Sequence, residues 1–123
     1  MEIKELTKAE EQIMHLLWQL EKAFVKDILN EIPEPKPAYN TVSTLVRILE
    51  TKGFVDHEVM GNWHLYFPVI SKDTYKTFVT EKLMNNYYSN SVESLFSYFI
   101  KKKKIDLKTA DEIMKLLEAS KKK

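Results

Sequence analysis

Five side chains between Tyr39 and Thr51 have the types and spacing to recognise a polar surface. Asn40, Thr44 and Arg47 stand at i, i+4 and i+7, which puts them on one face of a helix, with Thr41 and Ser43 beside them. Arg47 can donate two hydrogen bonds to guanine and Asn40 can pair with adenine, while the hydroxyls can bond phosphates or base edges. From Pro35 to Leu49 there is no acid, and Lys36 and Arg47 are basic. A helix that merely faces water usually carries Glu and Lys, which favour helix formation; Ser, Thr and Asn favour it less. Short hydroxyl and amide groups allow close approach to a polar surface, and the chemistry they fit is DNA reading. The competing interpretation is a solvated helix face that happens to be polar.

Other chemistries find less support. His57 and His64 lack a third and fourth ligand at suitable spacing, so neither a metal nor a cofactor is expected. His15 reads as structural. The chain contains no cysteine, which removes a disulfide framework, a thiolate metal site and a thiol nucleophile together. Gly53 and Gly61 are the only glycines, so no glycine-rich phosphate cradle exists. The acids are solvated in pattern and offer no matched pair for proton transfer. The chain does not read as an enzyme.

The elements that position these side chains follow from periodicity. Thr7 and Glu10 have capping-box spacing at the start of a helix over 7–20, with Ala9, Ile13, Leu16, Leu17 and Leu20 inward and Glu10 and Glu11 on other faces. A shorter helix over 24–31 carries Val25, Ile28, Leu29 and Ile32, and Pro33-Glu34-Pro35-Lys36-Pro37 ends it. The third helix, 38–52, turns Val42, Leu45, Val46 and Leu49 inward and stops at Lys52-Gly53. Phe54–Glu58 and Trp63–Phe67 then read as the strands of a hairpin about the turn Met60-Gly61-Asn62. Three helices followed by a hairpin is the order of a winged helix-turn-helix, in which the third helix enters the major groove and the hairpin lies along the neighbouring backbone. Asn62, at the tip, is placed to contact a phosphate; Trp63 and Tyr66 are expected to pack beneath the wing.

Three further helices are predicted at 72–88, 91–100 and 107–119. Asn90 and Glu93 have capping-box spacing before the second, and Asp106 precedes the third. Tyr75, Leu83, Tyr87, Leu95, Phe96, Phe99, Ile113 and Leu117 give this segment much apolar surface with few partners in its own chain. Burial at roughly 25 cal/mol per Å² favours pairing with a second subunit, and the alternative is folding back onto the amino-terminal domain. The predicted fold is therefore α+β, mostly α: a winged-helix DNA-binding domain over 1–70 and a helical dimerisation domain over 71–123. Two-fold symmetry would match a palindromic, double-stranded DNA operator.

Charge counts against this interpretation. Residues 1–70 carry seven Lys/Arg and eleven acids, and residues 71–123 carry twelve Lys and seven acids. A DNA-binding half is usually basic, so a winged-helix protein-interaction module without DNA binding is the alternative. The run Lys101–Lys104 reads as a solvated loop, or as an electrostatic attachment to DNA or another acidic surface. The charged amino end and the lack of any long apolar run point to a cytoplasmic protein with no membrane insertion.

The stretch from Leu6 to Trp18 resembles the opening of the penicillinase and methicillin-resistance repressors (BlaI/MecI). Tyr39 to Val55, with Thr41-Val42-Ser43-Thr44-Leu45 and Lys52-Gly53-Phe54-Val55, is similar to that family's recognition helix and first wing strand. Asn62 to Ile70 resembles the second wing strand, and Ser91 to Leu117, more loosely, the dimerisation helices. The resemblance implies a homodimeric repressor on a palindromic operator, with Thr41 and Thr44 at the DNA and Asn40, Ser43 and Arg47 as neighbours. In antibiotic-responsive members it also implies a sensor protease that leads to cleavage at an Asn-Phe bond. The matching place here is Tyr98-Phe99, where the Asn is absent. The family's copper-responsive branch uses a carboxyl-terminal cysteine motif, which a chain without cysteine excludes.

Overall fold

A computed structural model describes residues 2–102 and 105–121, so parts of the two lysine runs, Lys103, Lys104, Lys122 and Lys123, lie outside the described residues. Eight elements follow in the expected order: α1 (Lys8–Leu20), α2 (Val25–Glu31), α3 (Tyr39–Thr51), β1 (Val55–Met60), β2 (Trp63–Pro68), α4 (Lys72–Tyr87), α5 (Val92–Lys101) and α6 (Leu107–Lys121). They form two compact units, Met1–Val79 and Thr80–Lys123. Among the described residues, no helix is long and apolar enough to cross a membrane.

In the first unit, α1 starts with the predicted capping box. Thr7 Oγ1 accepts from the Glu10 amide at 3.2 Å, and the Thr7 amide donates to Glu10 Oε1 at 2.8 Å. The inward face of α1 differs from the predicted one: Glu10, Ile13, Met14 and Leu17 are buried, while Ala9 is exposed. Periodicity assigns a carboxylate to water, but Glu10 is only 3% exposed because the Lys52 ammonium meets its Oε1 at 2.6 Å. Burial by itself raises the Glu10 carboxyl. The Lys52 hydrogen bond, the Thr7 amide and the Lys52 charge outweigh it and hold the group below its ordinary value of 4.5.

Past Leu20 the chain reverses at Glu21, whose φ of 71° and ψ of −49° close a γ-turn from the Lys22 amide to the Leu20 carbonyl at 2.8 Å. The turn delivers Ala23 to β2, where it exchanges two 2.9 Å backbone bonds with Tyr66. At the end of α3, Gly53 takes a φ of 85°. The Phe54 amide returns to the Leu49 carbonyl at 2.9 Å and the Gly53 amide to the Glu50 carbonyl at 3.0 Å, the Schellman pattern. Phe54 and Leu49, the residues that touch in this motif, are both fully buried. The hairpin pairs Val55 with Pro68 through to Met60 with Trp63, leaving Gly61 and Asn62 as its loop. Gly61, with φ 64°, takes the first loop position, where a two-residue hairpin turn needs a positive φ.

The core joins the faces of α1, α2 and α3 to the wing: Ile13, Met14, Leu17, Ile28, Val42, Val46, Leu49 and Phe54 are each within 2% of complete burial. The first turns of α4 belong to it. The Tyr75 hydroxyl accepts from the Leu6 amide at 2.9 Å, its ring meets Phe54 edge-on at 5.4 Å, and Phe78 packs alongside. Trp18 Nε1 donates to the Ile70 carbonyl at 2.9 Å and ties α1 to the segment leaving the wing.

In the second unit, Ser89 and Asn90 take positive φ angles of 49° and 58° at the end of α4. The cap of α5 is Ser91, whose Oγ accepts from the Ser94 amide at 3.1 Å. This corrects the predicted Asn90–Glu93 box by one residue: Asn90 is left-handed instead of extended as a cap must be, with its backbone amide on the Met84 carbonyl and its Nδ2 donating to Asn85 Oδ1 at 3.3 Å. Asp106 caps α6 as expected, accepting from the Thr109 amide at 2.7 Å, and this bond lowers its carboxyl pKa. Ala110 is the buried apolar residue of this unit among the described residues.

The Glu10–Lys52 pair makes a prediction. Lys52→Met is expected to destabilise the chain at pH 7 by about 2–3 kcal/mol, because it strands a buried carboxylate. The lowered Glu10 value means that its contribution is present above pH 4.5 and is lost as pH falls through the folded-state value. Denaturant titrations at pH 7 and pH 3.5 should therefore show the gap between variant and wild type closing in acid. An equal gap at both pH values would contradict the assignment.

Candidate nucleic-acid interface

The inner face of α3 is fixed by Val42, Val46 and Leu49, all at zero exposure. The opposite face is thereby turned outward, and Asn40, Thr41, Thr44, Arg47 and Thr51 are exposed on it, with Ile48 at 38%. Arg47 Nε lies 3.5 Å from the Ser43 carbonyl, a long contact that leaves the guanidinium exposed. Ala38 precedes α3 with extended backbone and no side-chain cap.

Two grooves flank this helix. One lies between α3 and the wing and is lined by Tyr39, Ser43, Asn62, Trp63, His64 and Tyr66. Ser43, half-buried, faces this groove rather than the open stripe. The other is lined by Lys4, Thr44, Arg47, Ile48, Thr51 and Lys52. Burial raises the Tyr66 phenol, the Glu50 charge raises it further and Arg47 opposes them, so the wing base feels both charges of α3.

Asn40, Thr41, Thr44 and Arg47 share the exposed face of α3, and Ser43 and Asn62 line the groove between α3 and the wing. The Lys36 ammonium donates to the carbonyls of Leu29, Asn30 and Ile32, closing the carboxyl end of α2. An ammonium has three donors and all three are engaged. Lys36 is a capping residue, a task that its expected place at the DNA did not include.

Lys4, Tyr39, Ile48 and Trp63 join the surface without having been singled out there. Trp63 was expected beneath the wing but is 55% exposed, paired across the hairpin end with Met60; Tyr66, also expected there, is buried. Strand parity carries the signal, since Trp63 and Tyr66 lie three residues apart and so on opposite faces. Lys4 had no local signal, because the Leu6–Tyr75 bond that holds the amino-terminal segment is 69 residues long-range.

Three short helices, the third with an exposed stripe of short polar groups, and a hairpin packed against them define a winged helix-turn-helix. The solution structure of the DNA binding domain of the repressor BlaI shares this fold, with a TM-score of 0.53 at 23% identity, over 60% of this chain and 92% of that one. The model of the penicillinase repressor family matches residues 6–119, and the chain belongs to that family of transcriptional repressors, which are not enzymes. The methicillin resistance regulatory protein MecI of Staphylococcus aureus (strain N315) is 25% identical over 114 residues, covering 92% of this chain and 93% of that protein. The penicillinase repressor of Bacillus licheniformis is 21% identical over 120 residues, covering 97% and 94%.

The two cations assigned to different tasks can be separated. Lys36→Met is expected to destabilise the first unit by about 1 kcal/mol, the scale of a cation at a helix carboxyl end. Arg47→Ala, which removes an exposed side chain, should leave the melting temperature unchanged. A Lys36→Met melting curve that overlays wild type would remove the capping role.

Proposed function

We propose that this protein is a cytoplasmic transcriptional repressor that occupies a palindromic operator as a homodimer. The carrying observation is the outward stripe Asn40–Thr44–Arg47, free of acids and fixed by a completely buried inner face. In this reading α3 enters the major groove with Arg47 and Asn40 at base edges and Thr41 and Thr44 at phosphates or bases. Asn62 at the wing tip and Lys4 beside α3 contact the backbone. Residues 1–70 read DNA and 71–123 pair the subunits, with Tyr75 serving the first unit's core instead of the pairing surface.

Pairing is supported by apolar surface that the second unit leaves in water. Leu83, Tyr87, Leu107 and Leu116 are between 43% and 78% exposed, and Leu95, Phe96, Phe99, Ile113 and Leu117 are only half-buried. A patch of this kind marks an interaction site, and a second copy is the partner a palindromic site requires. Release through a sensor protease at Tyr98-Phe99 is not part of the proposal, because that bond lies inside α5 and lacks the Asn.

The second reading, an interaction module without DNA binding, is favoured by the excess of acids in residues 1–70. Titration against DNA from upstream of the protein's own gene, with scrambled DNA as control, decides between them. Tight, salt-sensitive preference for the upstream DNA is expected, with Thr44→Ala and Arg47→Ala each weakening it by about 1–3 kcal/mol. Equal, weak binding to both DNAs would favour the module. Sedimentation should show a dimer at micromolar concentration and a monomer for the double variant Leu83→Glu/Tyr87→Glu; a wild-type monomer would remove the pairing surface.

A further inference from the structure

The wing carries two histidines that DNA reading leaves unexplained. His57 on β1 and His64 on β2 stack their rings with centroids 4.1 Å apart and planes 11° from parallel. His57 Nδ1 also meets Glu50 Oε2, which comes from the last turn of α3. Asp56 completes the group. Its Oδ1 accepts from the His57 amide at 2.8 Å, which folds the carboxylate along the strand, back toward its neighbour. One ligand atom from each of Glu50, Asp56 and His57 lies within 4.8 Å of the others.

Sequence spacing gave His57 no further ligands because Glu50 belongs to a different element. The Schellman turn at Gly53 brings the end of α3 against the start of β1. The donor set is one imidazole nitrogen and two carboxylate oxygens, which borderline divalent cations accept. Ligand atoms at about 2.0–2.2 Å from such a cation lie roughly 3–4 Å apart, so the Glu50–His57 hydrogen bond gives way to the cation and the exposed Asp56 side chain rotates inward to close the site.

Two features of the surroundings favour a cation. The last turn of α3 has no basic side chain, so the negative end of the helix dipole lacks its usual partner. The nearby lysines are engaged elsewhere, Lys22 with Glu58 at 3.4 Å and Lys52 with Glu10. The segment 54–70 contributes no Lys or Arg.

We propose that Glu50, Asp56 and His57 form a site for one divalent cation of the zinc class, which bridges the reading helix and the wing. The stacked His64 ring holds the His57 ring in place. A bound cation offsets the two carboxylates beside the reading surface and fixes the wing against α3. On the operator-binding reading given above, it tightens the grip on DNA.

The test is calorimetric titration of the full chain with Zn²⁺, and separately with Mg²⁺, at pH 7.5 in a buffer that does not chelate. One Zn²⁺ per chain is expected, with Mg²⁺ much weaker because an imidazole ligand suits zinc and not magnesium. His57→Gln and Asp56→Asn should each weaken Zn²⁺ binding by about tenfold or more, the least that even an outer-shell partner is worth. Zn²⁺ should raise the melting temperature of wild type but not of His57→Gln. His15→Gln, which alters the exposed His15–Glu11 pair on α1, should bind Zn²⁺ as wild type does. Asp56 is exposed, so its variant keeps the test open if His57→Gln fails to fold. Wild-type affinity in both site variants, equal affinity for Mg²⁺, or loss of binding in His15→Gln would overturn the proposal. None of these readouts involves DNA, so failure here and failure of operator binding are separate results.

Discussion

Val42, Val46 and Leu49 lie wholly out of water against the core that α1 and α2 build, and the character of the outer surface depends on that contact. Successive helix residues are about 100° apart. Rotating α3 by one position would draw Ser43 and Arg47 into the core in place of Val42 and Val46, stranding a guanidinium among apolar groups. The seam therefore sets which side chains face outward as firmly as it holds the domain together. The Schellman turn and the Glu10–Lys52 pair set where the helix ends, and hence where the wing begins. A stripe of short polar groups gains recognition value only when its orientation is fixed in this way.

The order and limits of α1, α3, α5 and α6 were legible from their apolar period and recognisable stops, whereas the apolar residues of α4 are spread around the helix and give little period. Thr7, Asp106 and Gly53 perform the local tasks that their types imply. What periodicity could not show was where a polar group is claimed by a distant partner. Glu10 sits on the buried face because Lys52, 42 residues away, neutralises it. Lys36, expected at the DNA, is engaged as a helix cap by carbonyls of the preceding helix and the residue that follows it. Tyr75 has the character of pairing surface, yet the Leu6 amide on its hydroxyl holds it in the core of the first unit. The single-residue bridge between Ala23 and Tyr66 is too short to leave a strand pattern. Of the candidate interface, the stripe on α3 was legible, whereas the positions of Lys4 and Trp63 beside it depend on long-range ties and strand parity.

The unusual charge of the amino-terminal half acquires a physical account. Lys22, Lys36 and Lys52 serve internal contacts, with Glu58, with the end of α2 and with Glu10. Lys4, Arg47 and Lys52 line the groove beside α3, and Lys52 is already paired with Glu10. A surface of this kind attracts a phosphate backbone weakly at long range and relies on directional hydrogen bonds at contact. Such bonds discriminate among sequences, while nonspecific affinity comes mainly from charge.

The ends of α2 and α3 are closed largely through the backbone, with Lys36 on three carbonyls and the Phe54 and Gly53 amides on two more. Backbone carbonyls are present whatever residue carries them. The outward positions of these helices are accordingly released from structural duty, and the exposed side chains of Asn40, Thr44 and Arg47 contribute little to holding the domain together. A scaffold built in this way tolerates change on its exposed face while the fold stays the same.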